Sequence, residues 1–129
     1  GNKDRSLSLM KLCSKDMKIF TGDDKTSLSD IADGFSGNIS VTANVAPLEM
    51  HQMCQSALEG DIENASKLNS NLDILHDLLF CESNPIPVKW CLHKMGLIKK
   101  GIRLPLTWMD EKFDRPLTEG LIKSGIVDE

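Results

Sequence analysis

The chain has 129 residues, 40% of them hydrophobic and 26% charged, with 15 Lys and Arg against 19 Asp and Glu for a net charge of −4. Those values belong to an ordinary one-domain globular chain and exclude collagen, coiled coil and disordered tails. The acidic balance, with no basic cluster beyond Lys99–Lys100, argues against nucleic acid as a partner, and apolar runs no longer than Leu78–Cys81 argue against a membrane span.

The first residues, Gly1–Asp4, carry neither the basic nor the apolar region of a signal peptide, so the chain is expected to be processed or to be a piece of something longer. Cys13, Cys54, Cys81 and Cys91 show no C-x-x-C and no regular spacing, which predicts reduced, mostly buried thiols in a cytoplasmic protein. Leu7, Leu9, Met10, Leu12 and Cys13 can form one apolar stripe with Lys11 and Lys15 outside it, predicting a helix over 5–14. Met17–Thr21 is short and β-prone, ends at Gly22 and reads as a strand. Asp23–Asp24 then open a helix with Leu28, Ile31 and Ala32 at helical spacing, closing at Gly34. Gly37–Thr42 again reads as a strand. Two strands joined by a helical crossover pair in parallel with a right-handed connection.

Beyond Asn44 the pattern is helical. Pro47 suits the first helical position and Glu49 the first turn. Met50, Cys54, Ala57 and Leu58 supply an apolar face, and Gly60 stops the helix. Asp61 can cap a long helix whose apolar series is Ile62, Ala65, Leu68, Leu72, Leu75 and Leu79. Asn84–Pro87 is expected to be extended, because each proline restricts the residue before it. A short helix follows from about Val88 to Met95, residues 97–109 read as irregular, and a last helix falls within 110–124. Either Asp110 caps that helix and Pro116 disturbs it, or it begins near Pro116.

Two parallel strands do not make a stable sheet. Parallel sheets are buried on both faces, and open edges expose backbone donors and acceptors. The missing strands must come from other sequence or from another chain.

Asn84–Trp90, NPIPVKW, resembles a heptapeptide of the C-terminal region of the dihydrodipicolinate synthase family. Thr21–Asp24 resembles that family's S/T-G-D-D at the end of its seventh barrel strand, and Gly37–Asn44 its G-x-I-S-V-T-A-N at the eighth. Arg103–Leu106 fits the R-L-P-L/M that follows. The resemblance runs in order through essentially the whole chain. It implies an α/β fold: the C-terminal part of a (β/α)8 TIM barrel, namely its last two parallel strands with flanking helices over residues 1–60. A small all-α C-terminal domain would follow over 61–129. Such barrels run to about 250 residues, so the implied partner is the missing N-terminal part of the same enzyme.

The resemblance further implies a cytoplasmic homotetramer that condenses pyruvate with aspartate semialdehyde, in lysine and diaminopimelate biosynthesis, without metal or other cofactor. In the family a lysine forms a Schiff base with pyruvate and tyrosines relay protons. Gly1–Asn2 looks like the tail of the run that carries the lysine, and the chain has no Tyr. The arginine for the second substrate and the first-strand threonines are also upstream in the family pattern. No catalytic residue is therefore expected in these 129 residues, and the chain alone should be inactive. Two substrate-binding positions carry over. Gly22 would let the backbone approach the ketoacid closely, and the Ile39 carbonyl would face the imine and enamine carbon. Taken by themselves, the two residues read as a turn glycine and a core aliphatic.

Other groups read more plainly. Lys18 and Lys25 lack the desolvation or neighbouring cation that activates a Schiff-base lysine, and Lys25 follows two acids that would raise its pKa. Asp23 and Asp24 could hold Mg²⁺, but the N-terminus of a helix favours capping. His51 and Cys54 share a helical face without the further ligands of a zinc site, so no metal is expected. His76 reads as a boundary residue, Met50 and Met53 as core, and Trp90 and Trp108 as anchors of the C-terminal domain. Two other functions compete: a different pyruvate-dependent aldolase, such as N-acetylneuraminate lyase or a keto-deoxy-sugar-acid aldolase, or a non-catalytic helical interaction module.

Overall fold

The computed structural model describes residues 1–14 and 16–128; Lys15, expected on the polar side of the first helix, lies outside them. Helix α1 (Lys3–Leu12) starts at Asn2, whose side chain accepts from the Arg5 N–H, but it buries none of its residues. The stripe expected to face a core leaves Leu7, Leu9 and Leu12 exposed. A 3-10 turn (Asp24–Thr26) runs into α2 (Ser27–Ala32), and the chain leaves through Gly34 at φ +114°.

The two expected strands need correction. Among the described residues only Thr21 and Asn38 pair, in a parallel bridge. It is closed by Thr21 N–H to Gly37 O (3.0 Å) and Ile39 N–H to Thr21 O (2.9 Å). The parallel sense is the one the crossover demands. The ladder ends on each side for a local reason. Before the bridge, Ile19 O takes the Ser36 N–H where regular register would use that of Gly37. Gly37 has φ +150°, and a Cβ there would stand 3.2 Å from the Phe20 ring. After the bridge, Val41 turns helical and leads into a second 3-10 turn (Thr42–Asn44). The Val41 N–H, which a continued ladder would use, and the adjacent Thr42 N–H both donate instead to Asp24 Oδ2, at 3.0 and 2.9 Å.

The remaining helices follow their sequence signals closely. Helix α3 (Pro47–Leu58) has Pro47 in its first turn, and Gly60 behind it takes φ +84°. Helix α4 (Ile62–Leu78) is capped by Asp61, whose side chain accepts from the Asn64 N–H at 3.1 Å. The two helices pack against each other more extensively than any other pair. Met50 and Met53 meet Leu72, Leu75 and Leu79 in a core that also holds Trp90, Cys91, Met109, Leu117 and Leu121. Trp90 is thus an interior anchor, while half-buried Trp108 stacks edge-on with His93, with Lys100 Nζ 5.5 Å from its ring centre.

Helix α5 (Ile86–Lys94) begins two residues before the expected Val88, so Asn84–Pro87 is not an extended stretch. Pro87 sits in the first turn, where no intrahelical donor is needed, and Ile86, Pro87 and Val88 are all buried. The Asn84–Pro85 and Leu104–Pro105 peptides are cis. Residues 97–109 hold neither helix nor strand. Asp110 then caps a 3-10 turn (Glu111–Phe113), and α6 (Asp114–Lys123) starts two residues before Pro116. Both sequence readings of this end hold in part: Asp110 is a cap, and Pro116 lies in the first turn of the helix proper. All four cysteines are free; only Cys91 is buried, and the other three are half-buried rather than interior. No helix of the described residues is long and apolar enough to cross a membrane.

Candidate functional site

The parallel bridge brings the two sequence-predicted positions together. Gly22 follows Thr21 directly, and Ile39 follows Asn38 and is tied to Thr21 O through its own N–H. Both are exposed, Ile39 by 74%, so it is not the core aliphatic of this chain. Among the described residues no hydrogen bond reaches the Ile39 carbonyl. Gly22 has no positive φ, and a Cβ there would meet nothing within 4 Å. Neither turn geometry nor a neighbour within the chain asks for glycine at this position.

Ile39 stands on an arch gripped by one buried carboxylate. Asp24, 2% exposed, accepts from Asn38 Nδ2 (2.7 Å) through Oδ1 and from the Val41 and Thr42 amides through Oδ2. Ile39 and Ser40 form the crest between those pinned ends. Asp24 was expected to cap its own helix, but it caps the second 3-10 turn across the bridge. Asp23 makes no side-chain cap either; its Oδ2 accepts from the Thr26 hydroxyl at 2.8 Å. Asp30, also buried, supports the first side by accepting from the Thr21 hydroxyl at 2.8 Å, with Thr26 Oγ1 3.1 Å away.

His76 is the other departure from expectation. It is 3% exposed, not a boundary residue. Its Nδ1 lies 2.9 Å from Thr42 Oγ1, and its Nε2 lies 3.4 Å from Asn69 Oδ1. The Asn69 oxygen can only accept, so the proton belongs on Nε2 and Nδ1 accepts from the Thr42 hydroxyl. Desolvation pushes the His76 pKa below its usual value, against the pull of Asp24, Asp73, Asp77 and Asp23.

No group of the arch is an activated nucleophile. Lys25 is exposed and donates to Asp77 Oδ1 at 2.5 Å; that contact first, then the charges of Asp77, Asp73 and Asp23, raises its pKa, so the expected direction holds but its main cause is Asp77, 52 residues away, and not the two preceding acids. Lys18 is exposed as well. A recess of about 280 Å³ beside the arch is lined by Phe20, Asn38, Ser40, Met50, His51 and Cys54, among others. Burial raises the Cys54 thiol pKa, with the charge of Asp24 adding to it, which is the opposite of activation. Burial likewise pushes Cys91 up to about 12. No group of three or more His, Cys, Asp and Glu that could hold a metal ion occurs among the described residues.

Sequence reasoning singled out Gly22 and Ile39, which the bridge sets side by side, but missed the frame around them. Asp24 meets partners 14 to 18 residues away, and Thr42 meets His76 across 34 residues. No periodicity reports such contacts. The available signal was a histidine and three acids placed next to apolar runs.

A model of the Dihydrodipicolinate synthetase family matches residues 1–123. The 4-hydroxy-tetrahydrodipicolinate synthase of Thioalkalivibrio sulfidiphilus is 50% identical over 126 residues, covering 98% of this chain and 43% of that protein. That of Dechloromonas aromatica is 49% identical over 127 residues, covering 98% and 44%. Among solved structures, the chloride-inhibited dihydrodipicolinate synthase of Acinetobacter baumannii complexed with pyruvate superimposes with TM-score 0.93 at 47% identity, over 96% of this chain and 43% of that one. The synthase from Aquifex aeolicus gives 0.92 at 38% identity, over 97% and 43%. The chain spans less than half the length of the relatives it matches. On these matches, it belongs to the dihydrodipicolinate synthetase family.

Proposed function

We propose that this chain is the C-terminal portion of a 4-hydroxy-tetrahydrodipicolinate synthase, which condenses pyruvate with aspartate semialdehyde through a lysine Schiff base. The observation that carries the reading is the superposition, at 0.93 and 47% identity, on a synthase complexed with pyruvate. Residues 1–60 would close a (β/α)8 barrel and residues 61–129 would form its helical appendage. The unburied α1 and the unpaired backbone around the single bridge support this, because both call for neighbouring strands and helices. The cytoplasmic homotetramer rests on the family resemblance alone.

The amine of the reacting lysine, in sequence outside these residues, adds to the pyruvate ketone and water leaves, placing positive charge on the imine. A carbonyl oxygen fixed beside that carbon stabilises the charge without reorganising, the electrostatic economy of a preorganised site. Ile39 suits this role: its N–H is fixed on Thr21, its carbonyl has no hydrogen-bond donor among the described residues, and Asp24 pins the arch on both sides. Gly22 suits close approach of the ketoacid because nothing within the chain otherwise requires a residue without a side chain there. By itself the chain has no partner lysine and should not turn over substrate.

Borohydride reduction of the full-length protein with pyruvate, followed by peptide mapping, tests the reading. The reduced adduct is expected on a lysine outside these 129 residues, together with turnover of aspartate semialdehyde and none of sugar acids. An adduct on Lys18 or Lys25, or cleavage of a sugar acid instead, would overturn it.

A further inference from the structure

We propose that His76 is a positioning residue for Ile39, acting from α4 through the Thr42 hydroxyl on the arch; the proposal rests on the synthase reading above. The contact chain is short, and it is buried from His76 to Asp24 and half-buried at Asn38. His76 Nδ1 accepts from Thr42 Oγ1 at 2.9 Å, the Thr42 amide donates to Asp24 Oδ2 at 2.9 Å, and Asp24 Oδ1 takes Asn38 Nδ2 at 2.7 Å. Asn38 is the bridge partner of Thr21 and the residue before Ile39. The crest is thus held from behind by a helix of the C-terminal half.

Two features separate positioning from mere packing. Thr42 is fully buried, so its hydroxyl has no water to fall back on if His76 is removed. Leu72, Leu75 and Leu79 pack the same helix with aliphatic groups, yet where α4 meets the arch the sequence places a directional acceptor. Hydrogen bonds constrain angle as well as distance, which an aliphatic contact does not. Asn69 holds the far side of the ring and so fixes the tautomer that leaves Nδ1 free to accept. The lowered pKa of His76 keeps that acceptor available.

The test uses the full-length protein with His76→Leu, Thr42→Val and His76→Asn, the last retaining an oxygen near the place of Nδ1. For His76→Leu and Thr42→Val, kcat/KM for pyruvate is expected to fall about tenfold, the effect of losing one buried hydrogen bond. Amide exchange should accelerate at Ile39, Val41 and Thr42. His76→Asn should restore both readouts to within about threefold. Faster exchange confined to α4, or unchanged exchange at the arch, with kcat/KM also unchanged, would overturn the proposal. Thr42→Val changes no volume of consequence and decides the matter if His76→Leu does not fold. If the unsubstituted protein fails to condense pyruvate with aspartate semialdehyde, the synthase reading fails, and exchange at Ile39 and Val41 still decides whether His76 holds the arch.

Discussion

At His76 burial and charge pull in opposite directions, and burial wins. Desolvation lowers its pKa from 6.5 against four carboxylates, Asp24, Asp73, Asp77 and Asp23. In the unfolded chain the histidine returns to about 6.5, so between that value and the folded one the unfolded state binds protons more readily. The contribution of His76 to stability is complete above about pH 6.5 and is lost as pH falls through the folded pKa. Thermal unfolding of the protein should therefore show a midpoint that declines on acidification below about 6.5, and His76→Asn should flatten that decline. Parallel pH profiles for the two proteins would assign the slope to other groups. The same residue shows how local reading fails: its place beside an apolar series reads as the boundary between core and surface, and only the approach of Thr42 from 34 residues away makes it interior.

Among the elements, α4 illustrates a helix stabilised mainly from outside itself. Its cap is local, with Asp61 accepting from the Asn64 amide, and Asp61→Ala should cost about 1 kcal/mol. Leu75 is fully buried in the main core, and Leu75→Ala should cost about 2–5 kcal/mol, a transfer loss plus a cavity. Urea denaturation should rank the two in that order. Equal shifts would mean that the helix stands on its own propensity, which for a segment of this length is marginal at best. Helices α3 and α4 were legible because period, proline, glycine and cap residues all act within a few positions. The strands were not. Val41 and Thr42 have β-prone side chains, but their amides answer to Asp24, and a charged acceptor outcompetes a ladder that has only one partner strand.

Over the whole molecule, burial is uneven in a way that bears on function. The helices from α3 onward share one core, whereas α1 buries nothing and Met17 and Phe20 are more than half exposed. If the longer enzyme supplies the next strands, amides of residues 17–20 should exchange rapidly in the 129-residue chain and become protected in the full-length protein. Equal exchange in both would show that no strand docks there, and the barrel assignment of residues 1–60 would fall.

Sequence by itself determined the long helices, the parallel sense of the pairing and the family motifs that single out Gly22 and Ile39, since each is written in neighbouring residues. Tertiary structure alone decided that the strands shrink to one bridge, that Asp24 serves the far side of that bridge, and that His76 is interior. Those outcomes depend on which buried amide finds which acceptor, and hydrogen bonds between distant segments leave no period in the chain that makes them.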